Sequence, residues 1–197
     1  MKKIEIIWRE LLYQSLEGQG GRRFEQKALA EKFGFSTSTV FQALKIPRQM
    51  GAVRVTGRFF VLEDPEKLLY HWASERNLEK DIVEAVRAEG LPLEIEGDLP
   101  PNVVFGAYSA ARMTLGISPA DYDQIYIYSP SSWKVKERLK IVKGSSNFFI
   151  LKPDEFLHNY GQKTTLAQTF VDLWNLKTWY AKEFVKAIKE KIDGILS

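Results

Sequence analysis

A chain of 197 residues with 45% hydrophobic and 27% charged side chains has the composition of a globular protein, long enough for one large domain or two small ones. It contains no cysteine and only two histidines, His71 and His158, which excludes disulfides and thiolate metal sites and leaves little for a zinc centre. The net charge of +3 conceals a partition: residues 22–60 hold eight Lys or Arg against two acids (+6), residues 61–130 five against thirteen (−8), and residues 131–197 twelve against seven (+5).

In chain order, residues 4–16 place Ile4, Ile7, Trp8, Leu11 and Leu12 on one helical stripe, and residues 18–21, rich in glycine, end that helix. Glu5, Arg9 and Glu10 interrupt the apolar pattern, unlike a signal peptide, and no apolar run approaches the roughly 18 residues of a membrane span. The expectation is a cytoplasmic protein with no membrane partner.

Residues 29–44 read as a helix-turn-helix. Ala30 is small where two helices approach, Gly34 suits a left-handed cap, and the Ser36 hydroxyl caps a second helix. Val40, Ala43 and Leu44 form its inner face, and Thr37, Ser38, Phe41, Gln42 and Lys45 its outer one. Small polar residues near a helix N-terminus suit contacts to phosphates and base edges in a major groove. Phe41 fits a thymine methyl or, equally, a dimer contact. Pro47 removes a hydrogen bond to the Ala43 carbonyl, which predicts a kink or break. Two short strand-like runs over residues 53–62, joined at Thr56 and Gly57, read as a hairpin, the wing, with Arg54 and Arg58 as phosphate contacts. The local +6 is the footprint of a polyanion, so the candidate contacts to double-stranded DNA are Ser36, Thr37, Ser38, Phe41, Gln42, Lys45, Arg48, Arg54 and Arg58. The competing reading is a winged helix used only for dimerisation or protein docking.

Asp64-Pro65-Glu66 is a helix start, with Leu68, Leu69 and Trp72 facing inward and His71 packed beside Trp72 or at the surface. A second helical pattern covers residues 78–89 with Ile82, Val83 and Val86 inside, and Pro92, Gly97, Pro100 and Pro101 mark loops around a short strand. The acidic balance here suggests protein docking, or simply a solvated face. Strands then follow at residues 103–105, 125–128 and 147–151, with a helix at 109–115 that Ser109 caps. Helices run from Phe156 to the end and part near Asn175. The fold class is α+β: an N-terminal winged helix-turn-helix over residues 1–64, a helical connector over 65–101, and a mixed α/β C-terminal domain over 102–197. Residues from Val61 onward are expected to fold by themselves.

Residues 105–128 also admit an enzyme reading. Gly106 and Ser109 after one strand, with Asp121 and Asp123 before the next, faintly resemble a nucleotidyltransferase in which a Gly-Ser loop holds triphosphate and paired aspartates hold magnesium. Turn-forming residues explain the same letters more simply, so no catalytic residue, metal or cofactor is assigned.

A second resemblance covers nearly the whole chain. A winged helix followed by a strand, the Ser109-Ala110-Ala111 helix, a proline-containing loop, the Ile125-Tyr126-Ile127-Tyr128 strand and a later helix from Thr164 to Leu173 resembles AbiEi-type antitoxins of type IV toxin–antitoxin systems. The resemblance implies a repressor of its own operon, operator binding through Thr37, Ser38, Gln42, Lys45 and the wing, opposition to a cognate toxin, and no catalysis. A homodimer is a further candidate assembly.

Overall fold

The computed structural model describes residues 1–18 and 21–197, so the part of the expected helix end at Gln19 and Gly20 lies outside the described residues. The chain is α+β. Helix α1, Lys3–Leu16, buries Ile7, Trp8, Leu11 and Leu12 as its periodicity predicts. Strand β1, Arg23–Phe24, leads to α2, Gln26–Phe33, which Gly34 closes at φ 61, in the left-handed region where a side chain would be strained. Helix α3, Thr37–Gln49, starts at Ser36, whose Oγ accepts from the Thr39 N–H at 3.2 Å.

Pro47 does not break α3; the helix continues to Gln49. A proline at that position leaves the Ala43 carbonyl without its helical donor. The Trp8 indole N–H supplies the missing bond at 2.7 Å, so one hydrogen bond repairs α3 and fixes α1 across it.

Strands β2, Val53–Thr56, and β3, Phe59–Leu62, form an antiparallel hairpin, and β1 adds to the far side of β3. Thr56 pairs with Phe59, so the turn residues are Gly57 and Arg58, one position later than expected, and Arg58 stands at the tip.

Helix α4, Pro65–Glu75, begins at Asp64, whose carboxylate accepts from the Lys67 N–H at 2.9 Å. Beyond it the sequence reading fails. Residues 82–88 are a strand, β4, Ile82–Ala88, reached through a 3-10 turn at Leu78–Asp81. Ile82, Val83 and Val86 have helical spacing, but Ile82 and Val86 turn inward while Val83 and Ala85 face solvent, the period of a half-buried strand. Pairing with a central neighbour decides such short ambiguous runs. The expected loops around Pro92 are helix α5, Pro92–Asp98, in which the proline occupies the first turn, where it costs no hydrogen bond. Residues 65–101 are therefore not a helical connector, since β4 and α5 belong to the second sheet layer.

That sheet has the order β5-β6-β8-β4-β7, with β5 at Val104–Gly106, β6 at Ile125–Tyr128, β7 at Ile141–Val142 and β8 at Phe148–Leu151. Only β6 and β8 run parallel. In β6, Ile125 and Ile127 enter a small core with Ile95, Val135 and Phe148, while Tyr126 and Tyr128 face the main core. Helix α6, Ala107–Leu115, follows β5 and α7, Ser132–Lys136, follows β6. Ser109 does not cap α6; it lies inside the helix, wholly buried, and donates to Glu96 at 2.7 Å. A 3-10 turn at Leu157–Tyr160, α8 at Leu166–Trp174 and α9 at Ala181–Leu196 complete the chain.

The boundary near residue 64 divides topology but not the core. One apolar cluster runs from Ile6, Leu11 and Leu12 through Leu44 and Phe60 to Phe170, Phe184 and Ile192. Buried ion pairs cross the same boundary. The fully buried Arg9 guanidinium donates to both oxygens of Asp154, at 2.7 and 2.6 Å, and to Gln168 Oε1 at 3.2 Å. Arg76 meets three carboxylates, Asp81 at 2.5 Å, Asp172 at 3.2 Å and Glu5 at 3.5 Å. Two cations, Arg76 and the Met1 ammonium 3.0 Å from Asp81, stand against these three anions. Burial accordingly pushes the Asp172 carboxyl above its ordinary range, against the pull of Arg76 and of the Tyr128 hydroxyl, which donates to it at 2.6 Å.

Candidate nucleic-acid interface

The candidate surface is built on α3. Val40, Ala43, Leu44 and Pro47 are buried against the rest of the chain, and Thr37, Ser38, Phe41, Gln42, Lys45 and Arg48 are all exposed on the other side. Because α1 holds the helix from behind through Trp8, the exposed row is rigidly mounted. At its start the Ser36 Oγ lies 2.8 Å from Ser38 Oγ and 3.0 Å from Thr39 Oγ1, so these hydroxyls are oriented as a set at the positive end of the helix.

Phe41, Lys45, Arg48 and Gln49 surround a shallow depression of about 340 Å³. Gln49 was not singled out from sequence, though its spacing of eight from Phe41 continues the same stripe. Lys45 and Arg48 have no ion pair among the described residues. These cations lack an internal partner, so their charge is available to an anion.

The hairpin separates its two arginines. Arg58 projects from the turn, exposed and without an ion pair among the described residues. Arg54 is engaged: its Nε donates to Glu63 Oε1 at 2.6 Å, and its second guanidinium nitrogen lies 2.5 Å from the same oxygen. Glu63 stands beyond Val61, the residue that faces Arg54 across the strands, and sequence reading did not connect them. Arg23, counted only as charge before, lies with its guanidinium 3.6 Å from the Phe59 ring centroid, so a third cation is held beside the turn.

The residues of the enzyme reading are placed differently. Ser109 is bound to Glu96, and Asp123 accepts from the Tyr180 hydroxyl at 2.6 Å. Asp121 is exposed, and no group of three His, Asp or Glu capable of holding a metal occurs among the described residues. Glu96 also receives Arg112 at 2.5 Å and Tyr122 at 2.8 Å, and burial pushes the Tyr122 hydroxyl up to about 12. That cluster ties α5, α6 and the loop before β6 together. His71 lies with its ring 4.8 Å from that of Trp8, in an edge contact, and burial lowers its pKa.

No protein-family model matches the chain, and neither a curated protein nor a solved structure matches it. Among the described residues no helix is long and apolar enough to cross a membrane.

Proposed function

We propose that this protein is a DNA-binding transcriptional regulator in which residues 1–64 act as a winged helix, α3 entering the major groove and the Gly57–Arg58 turn resting on neighbouring phosphates. The observation that carries the reading is the two-sidedness of α3, whose inner row is fully buried while its outer row, Phe41 apart, is polar, cationic and free of internal ion pairs among the described residues. The Ser36 hydroxyl caps the helix whatever the face meets, but Lys45 and Arg48 along its length and Arg58 beyond its end are left without a counterion among the described residues, which suits contact with phosphates. The same arrangement divides the labour. Gln42 is positioned to read a base edge, whereas Lys45, Arg48 and Arg58 meet phosphates. Within this class the specific role proposed is that of an AbiEi-like antitoxin that represses its own operon, on the strength of the pattern over residues 103–173.

Selection of the full chain against a pool of random duplexes tests this. The expected result is an enriched motif, and Gln42→Ala should relax preference at one base pair of it by about 1–3 kcal/mol. Absence of duplex binding at low salt would transfer α3 to protein contacts.

A further inference from the structure

An open groove of about 770 Å³ lies on the face opposite the inner side of α9. Its floor is apolar, with Tyr70 from α4, Phe170 and Leu173 from α8 and Val185 from α9, and two tryptophans stand on its walls, Trp174 at 48% and Trp179 at 75% exposure. Around them lie Lys177, Lys182, Lys186 and Lys189. Lys182 has no ion pair among the described residues, and the contacts of Lys177 with Glu79 and Lys186 with Glu190, which also lines the groove, are exposed pairs that a partner can displace, whereas Lys189 is already held by Glu66 at 2.7 Å and Asp193 at 2.5 Å.

A second surface is equally unexplained. Leu91 and Leu93, at the start of α5, are 67% and 61% exposed and cover nothing in their own chain. On the same short helix Glu94 and Asp98 are exposed and form no ion pair among the described residues, although Glu94 Oε2 accepts from the Leu91 N–H at 2.9 Å. One surface is concave, aromatic and basic. The other is convex, aliphatic and acidic.

We infer that these surfaces receive each other between two copies of the chain: the Leu91–Leu93 corner of one copy enters the tryptophan groove of the other, with Glu94 and Asp98 against the groove lysines, and the contact is repeated reciprocally to close a dimer. The contact cannot be made within one copy. Phe184 on the inner side of α9 meets Tyr122, which bonds Glu96 of α5, whereas Lys182, Val185, Lys186 and Lys189 lie about 100–200° around the helix from Phe184. A chain's own α5 is thus held on the wrong side of α9. Such a dimer is independent of DNA binding.

Sedimentation equilibrium of the full chain at high micromolar concentration tests it. The wild type should have the mass of a dimer, and Leu93→Asp and Lys182→Glu, both at exposed positions, should each shift it toward monomer with the circular dichroism spectrum unchanged. Combining Lys182→Glu with Asp98→Lys, which leaves the Glu94 bond to the Leu91 N–H in place, should restore the dimer. A monomeric wild type, a mass that rises without limit, or a dimer indifferent to both single variants would overturn the proposal.

Discussion

The arginines of this chain serve two opposite environments. Arg9 and Arg76 are buried and both are paired with carboxylates, Arg9 with Asp154 alone and Arg76 with Glu5, Asp81 and Asp172. Arg48 and Arg58 are exposed and have no ion pair among the described residues. A count of charges treats the four alike. Desolvation separates them, because a guanidinium taken out of water is tolerated only with a counterion in place, whereas one left in water can wait for an external anion. The buried set joins the two halves of the fold, and the exposed set is what the proposed function uses.

The largest expected effect tests the buried side. Asp154→Ala strands the Arg9 guanidinium and should cost about 3–5 kcal/mol in urea unfolding, a loss of the size expected when one partner of a buried pair is removed. A loss near zero would mean that water reaches Arg9 and that the contrast is false. The shared core gives a related expectation: a fragment of residues 61–197, lacking α1, should not fold cooperatively, contrary to the independent domain expected from sequence, and a folded spectrum for it would restore that division.

Trp8→Phe deletes one ring of the buried indole and leaves the Ala43 carbonyl without a donor. It should cost about 1–3 kcal/mol in the same measurement. No change would show that the indole bond does not hold α3.

The effect of pH is smaller and its sign follows from the groups. Burial alone would raise the Asp154 carboxyl, but Arg9 outweighs it and holds it below the usual range. Glu10 is likewise lowered, by Lys32, Tyr160 and Gln14 against its own burial. His71 is lowered by burial. In each case the folded state binds its proton less readily than the unfolded chain, so stability present above the unfolded pKa is lost as pH falls through the folded one. The losses should begin below about 6.5 with His71 and continue through the carboxylate range, partly offset by Asp172 and Glu17, both raised by burial. Melting temperature followed against pH should therefore decline toward acid, and His71→Gln should flatten the upper part of the decline. An unchanged profile would remove His71 from the account.

Much of the N-terminal half was legible because its signals are local. Gly34, Ser36 and the Val40, Ala43 and Leu44 spacing act within a turn or two of helix. What escaped was decided at a distance. Residues 82–88 are a strand because β8, some 65 residues later, pairs with them, and Arg9 is structural because of an aspartate 145 residues away. The surface has the same limit, since the identity of Arg54 reveals a cation but not that Glu63 already holds it.

That last difference supplies the most direct test of the proposed interface. Duplex binding by the full chain is measured against salt concentration for the wild type, Arg58→Ala and Arg54→Ala. The slope of log K against log salt should become shallower by about 0.9 for Arg58→Ala, which removes one cation from a phosphate, and by less for Arg54→Ala, whose charge Glu63 already shares. A wild type with no affinity for duplex DNA at low salt, or an Arg58→Ala variant with the wild-type slope, would contradict the account.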